Sequence, residues 1–141
     1  YASLRAFLHS HSYTGNPLAC RAALATLDIF ATDDVVAANR TLARAMAEAA
    51  APLADHPHVG EVRQTGMILA FEMVQEKASR TPYPWQERRG LPVYRHGLER
   101  GALLRPLGNV VYLMPPYVIT PDQIRWLAGV AAEGIDLATR D

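Results

Sequence analysis

Apolar residues recur along this chain with two different periods, and the change of period divides it. Leu18 to Phe30 is rich in Ala and Leu and apolar nearly all round, the pattern of a helix buried against other protein. Asn16-Pro17 opens it: Asn caps free N–H groups, and Pro at the first helical position loses nothing. Thr32-Asp33-Asp34 predicts a second start, with Thr32 as cap and two acids at the positive end of the dipole. Val35, Leu42, Met46, Ala49 and Leu53 then fall near one helical face. Pro52 marks that helix's end, and Asp55-His56-Pro57-His58 predicts a turn.

Beyond the turn the period shortens. Val59 to Gly66 predicts a strand and turn, and Met67 to Val74 an apolar strand carrying one acid, Glu72; together they make a hairpin. Residues 75 to 90 are polar, hold Pro82, Pro84 and Gly90, and are expected to form a loop. Leu91 to Arg100 predicts a short helix stopped by Gly101. Residues 102–106 and 110–114 are expected as two strands joined by Leu107-Gly108-Asn109, with Pro115-Pro116 ending the second. Thr120-Pro121-Asp122-Gln123 carries a capping box for a last helix. Its apolar positions are Ile124, Leu127, Ala128, Ala131, Ile135 and Ala138. The expected architecture is α+β: two helices, then a small sheet interleaved with and followed by helices.

Composition adds mostly exclusions. The 141 residues suffice for one domain with a core. Acids and bases balance at 14 each, which gives no electrostatic reason to expect nucleic acid or an anionic membrane as partner. No apolar run is long enough to span a bilayer, and with no secretory h-region among the first residues, no secretory leader is expected. The single cysteine, Cys20, is expected as a small core residue; with no bridge within the chain, a reducing cytoplasm is expected. The chain opens on Tyr1 without a helix start, as a polypeptide entered partway through would.

Candidate chemistry is concentrated at a few positions. His9 to Asn16 gathers hydroxyls, imidazoles and a glycine just ahead of a helix N-terminus, a setting suited to phosphate. The same residues also suit a polar loop whose hydroxyls satisfy its own backbone. Arg105, on an otherwise apolar segment, suits a substrate carboxylate held by two hydrogen bonds, or an edge arginine that reaches solvent or pairs with a structural acid. Tyr112 suits a site wall or the rim of the core. Glu72 fits a solvent face or a partner arginine better than a catalytic acid. The five histidines lack ligand spacing, so no metal site is expected. The single lysine, Lys77, sits in polar sequence, with nothing apolar to lower an amine pKa.

Ser10 to Cys20 resembles the segment that follows the pyridoxal lysine in class III pyridoxal-phosphate aminotransferases. Arg63-Gln64-Thr65-Gly66-Met67-Ile68 with Phe71-Glu72 resembles that family's first small-domain hairpin. Leu104 to Tyr117, with its Arg-Pro-Leu-Gly-Asn and Tyr-Leu-Met-Pro-Pro-Tyr, is similar to the branch acting on 8-amino-7-oxononanoate. The resemblance implies the C-terminal portion of a fold-type I homodimer with active sites at the subunit interface. Residues 1–16 would be the tail of the large cofactor domain, and 17–141 the linking helix and small domain. It implies pyridoxal 5'-phosphate as cofactor, with His11 and Ser12 contacting its phosphate, His11 through its backbone. Ser10, Arg105 and Tyr112 would bind substrate, Arg105 through the keto acid's carboxylate. The implied reaction is a ping-pong amino transfer from S-adenosylmethionine to 8-amino-7-oxononanoate in biotin biosynthesis, with the catalytic lysine outside this chain. A class III transaminase for other ω-amino acids or amines, or a non-catalytic small domain, remain the alternatives.

Overall fold

The computed structural model describes residues 11–140. The chain divides into two compact units, Tyr1–Val35 and Val36–Asp141. In the first, helix α1 (Pro17–Thr32) is capped by Asn16, whose Oδ1 accepts from the Ala19 N–H at 3.0 Å, and Pro17 takes the first helical position. None of its residues is buried, although Leu18, Leu24, Leu27, Ile29 and Phe30 are all large and apolar. Cys20 is exposed too, not a core residue. Thr32 does not cap a second helix. It is the last residue of α1, and its hydroxyl donates back to the Asp28 carbonyl at 2.9 Å, a bond a helical threonine makes readily.

The second unit is built on strand β2 (Ile68–Glu76). Strand β1 (Val59–Thr65) pairs antiparallel along one edge of β2, with Val62 opposite Phe71. Strand β4 (Val110–Leu113) pairs antiparallel with residues 69–72, and the two-residue strand β3 (Thr81–Pro82) pairs with the far end of β2. Alternation decides which face is covered. Leu69, Phe71 and Met73 of β2 and Val111 and Leu113 of β4 are buried. The opposite face carries Glu61, Arg63, Glu72 and Tyr112.

Helices α2 (Val35–Ala50), α3 (Gly90–Glu99) and α4 (Pro121–Thr139) contribute Met46, Val93, Ile124, Ala131 and Ile135 to the core of the buried sheet face. The last helix is the one announced by its cap. Thr120 Oγ1 accepts from Gln123 N and Gln123 Oε1 accepts from Thr120 N, completing the capping box. His56 Nε2 and Asp136 Oδ1, 3.0 Å apart, join α4 to the turn ahead of β1.

Two expected elements differ. The polar stretch 75–90 is not all loop: it holds the end of β2, β3 and a 3-10 turn, Trp85–Glu87. Residues 102–106 do not form a strand. The Ala102 N–H goes to the Gly97 carbonyl at 2.7 Å and that of Leu104 to the Ala102 carbonyl at 3.0 Å, and Pro106 has no N–H to give. These donors are spent locally, so no ladder forms, although Ala102 and Leu104 still point inward and Leu103 and Arg105 outward.

Phe71→Ala is expected to cost about 3–5 kcal/mol in urea denaturation, because the ring is fully buried. An unchanged midpoint would contradict the placement of the core. A Cβ at Gly97 would lie 2.7 Å from the Ala102 carbonyl oxygen, whereas one at Gly129 meets nothing within 4 Å. Gly97→Ala is therefore expected to destabilise by roughly 1–3 kcal/mol. Gly129→Ala, in a helix interior, is expected to stabilise by about 0.5–1 kcal/mol. The same sign for both would refute the packing of α3 against residues 102–104.

Candidate active site cleft

Arg105 owes its position to helix α3. A Cβ on Gly90, the first residue of α3, would stand 2.6 Å from the Gly108 carbonyl oxygen and 2.7 Å from Pro106 Cβ. Two turns further on, a Cβ on Gly97 would stand 2.7 Å from the Ala102 carbonyl oxygen and 3.1 Å from Leu104 Cγ. The segment carrying Arg105 thus lies directly on the helix backbone at both ends. Its turn is closed by the reciprocal Leu107–Val110 backbone bonds, at 2.8 and 3.0 Å, with Gly108 at φ 58°. Asn109 ties the turn down further: its carbonyl accepts from Met73 N at 2.9 Å and its Nδ2 donates to the Tyr83 carbonyl at 2.8 Å.

Beside this turn opens a cleft of about 460 Å³, walled by Trp85, Arg88, Leu91, Tyr94, Arg105 and Pro106. Arg105 is exposed into it and makes no ion pair or hydrogen bond with any described residue. An arginine poised in this way beside aromatic and aliphatic surface can take a carboxylate through its two-pronged donor edge. Of the edge-arginine alternatives, pairing with a structural acid finds no such acid among the described residues, while reaching solvent agrees with the residue's exposure.

Tyr112 stands elsewhere. It is half-buried on the open face of β4, opposite Ala70, and lines a separate cleft of about 280 Å³ with Leu103, Met114 and Trp126. Of these two clefts, Arg105 lines only the first and Tyr112 only the second. Glu72 takes the bland role expected of it. Its Oε2 accepts from Arg63 at 2.6 Å, and Glu61 accepts from the same guanidinium at 2.8 Å. These hydrogen bonds, Glu72's first, hold the Arg63 pKa above its ordinary value.

The phosphate-type loop belongs to the first unit. Ser10 lies outside the described residues. Ser12 is exposed, and its hydroxyl and backbone N–H bond to no described residue. His11 is more engaged: its N–H donates to Thr14 Oγ1 at 3.1 Å, and its Nδ1 accepts from Tyr13 N at 3.2 Å. A backbone contact from His11 to an anion would have to displace Thr14. Lys77 is engaged as well, donating to the carbonyls of Ala54 at 2.5 Å and His56 at 3.0 Å. Among the described residues no group of His, Cys, Asp and Glu is placed to hold a metal ion, and no helix is long and apolar enough to cross a membrane.

Three walls of the cleft were not legible beforehand. Trp85 and Arg88 fall in the stretch expected to be a polar loop, and Tyr94 in a helix with no assigned role. The Arg88-Arg89 pair just ahead of the helix was the signal available.

Comparison with known proteins gives a consistent family. The model for class III aminotransferases matches residues 2–133. The adenosylmethionine-8-amino-7-oxononanoate aminotransferase of Geobacter sulfurreducens is 39% identical over 99% of this chain and 31% of its own length. That of Helicobacter pylori is 42% identical over 96% of this chain and 30% of its own. The crystal structure of the Methanocaldococcus jannaschii enzyme of that name superposes with a TM-score of 0.84 at 36% identity, over 96% of this chain and 31% of that one. An aminotransferase from Vibrio fluvialis, in a PMP-bound form, superposes at 0.83 with 28% identity, over 97% of this chain and 30% of that one. The chain thus spans about a third of the length of these relatives, and its α+β fold matches that share of fold-type I class III transaminases. With a family model running through nearly all of its residues, the chain belongs to the class III aminotransferases.

Proposed function

We propose that this chain is the C-terminal part of a pyridoxal-phosphate aminotransferase that converts 8-amino-7-oxononanoate to 7,8-diaminononanoate, with S-adenosylmethionine as amino donor, in cytoplasmic biotin biosynthesis. The observation that carries the reading is Arg105, an unpaired guanidinium in a cleft with aromatic and aliphatic walls. The keto acid has the matching form, a carboxylate at the end of an aliphatic chain. Arg105 binds the carboxylate, and Leu91, Tyr94 and Pro106 cover apolar surface beside it. Support for this substrate over others comes from the relatives near 40% identity, which bear that activity in their names.

The cofactor's phosphate end fits the loop ahead of α1. Ser12 offers a hydroxyl and an N–H not used by any described residue, next to a helix N-terminus. When bound, pyridoxal phosphate supplies the electron sink that lets an amine's α-hydrogen leave. Ser10 and Tyr112 remain proposed substrate contacts, Tyr112 from a cleft other than that of Arg105. The lysine that carries the cofactor is assigned to the part of the enzyme outside residues 1–141, since Lys77 is committed to two backbone carbonyls. A homodimer with its active sites between subunits completes the proposal. The second reading, a class III transaminase for other amines, draws on the Vibrio fluvialis structure, whose backbone superposes almost as closely.

Steady-state kinetics of the full-length enzyme separate these readings. Activity with 8-amino-7-oxononanoate is expected, and its replacement by activity on ordinary ω-amines alone would refute the biotin assignment. Arg105→Ala is expected to weaken keto-acid binding roughly ten- to a hundredfold, the worth of one charge-assisted contact, and donor binding far less. Equal losses for both substrates would contradict the carboxylate role. Borohydride reduction of the loaded enzyme, followed by peptide mapping, is expected to find the cofactor on a lysine outside this chain. Recovery on Lys77 would overturn that assignment.

A further inference from the structure

Arg105 is not the only cation in its cleft. Arg88 lines the same walls, and no Asp or Glu does. Neither guanidinium has an ion-pair partner among the described residues. The nearest acid in sequence, Glu87, is already paired with Arg89 at 2.6 Å. Two unneutralised positive charges facing one small space repel each other, and an anion placed between them relieves that repulsion.

The backbone holds Arg88 where it is. The residue ends the 3-10 turn Trp85–Glu87 in the left-handed conformation, φ 50°, which an arginine adopts only at some cost. Its N–H donates to the Trp85 carbonyl at 3.2 Å, and its carbonyl accepts from Leu91 at 2.8 Å. Two residues later Gly90 packs against Pro106 and Gly108. Arg88 and Arg105 are thus anchored to the two sides of a single tight contact, which fixes their backbones with respect to each other.

We propose that Arg88 is a second cationic contact for the carboxylate bound by Arg105, so that two guanidinium groups share one substrate acid group. The proposal rests on the carboxylate reading of Arg105. It adds a specificity determinant: the cleft favours a chain ending in an acid over the same chain ending in a neutral group, by more than one arginine provides.

Calorimetry on the full-length enzyme with nonanoate as probe, and 1-nonanol as its neutral counterpart, tests this without turnover. Arg88→Gln is expected to weaken nonanoate binding about three- to tenfold and leave 1-nonanol binding and the melting temperature unchanged. Arg88→Lys, which keeps the charge but loses the fork, is expected to fall between Arg88→Gln and the parent. In the Arg105→Gln background the Arg88→Gln effect is expected to change, because both groups hold one acid. Strict additivity would overturn the shared contact. Nonanoate binding weakened by Arg105→Gln but untouched by Arg88→Gln would overturn this proposal alone. Nonanoate binding untouched by Arg105→Gln would overturn the carboxylate reading beneath it.

Discussion

Where helix α3 meets residues 102–108, there is no room for a methyl group. At Gly90 and again at Gly97 the helix backbone touches the facing chain, with a Cβ at either position falling 2.6 or 2.7 Å from a carbonyl oxygen. A contact this close does what a strand ladder would otherwise do. It holds an extended segment in place although residues 102–106 make no sheet bonds, and it leaves alternate side chains free to point outward. Arg105 is one of them. The buried partners Ala102 and Leu104 secure the segment from within, so the guanidinium is presented by rigid backbone and not by a flexible loop. Preorganised presentation matters because a cation that must first be ordered loses part of what it gains on binding.

The remainder of the second unit supports that contact. β2 is paired on both sides, and its buried face is filled by Leu69, Phe71 and Met73. Met73 also donates to Asn109 in the turn beyond Arg105, which connects the centre of the sheet to the cleft through one hydrogen bond. α3 in turn lies on α4, where Val93 meets Gly134 and Glu133 reaches both His96 and Arg100. Sheet, helix pair and turn are therefore one packing problem, and the cleft is what remains at its edge.

Much of this was legible in the sequence. The caps at Asn16 and Thr120 set their helices because cap chemistry is local, and the alternation from Val59 to Val74 gave the hairpin for the same reason. Glu72 paired with an arginine across the hairpin as its neighbourhood suggested. Thr32 misled because a threonine next to two acids satisfies a cap rule, while its hydroxyl is equally content bonding back into the preceding helix. Residues 102–106 misled because alternation shows which side chains face inward but not whether a neighbouring strand exists. Arg88 and Trp85 were missed because their placement depends on a 3-10 turn and a left-handed residue, neither of which leaves a periodic trace. Arg105 stood out because a charged residue interrupting an apolar run is itself a signal; that Tyr112 lines another cleft is a matter of tertiary geometry alone.

Arg105 is proposed to take the acid group of an aliphatic keto acid. A crystal structure of the full-length enzyme with 8-amino-7-oxononanoate bound tests it most directly. The ligand's carboxylate is expected within hydrogen-bond distance of the Arg105 guanidinium, its chain running past Tyr94 or Leu91. A ligand bound with its carboxylate on other residues, and Arg105 still facing solvent, would contradict it.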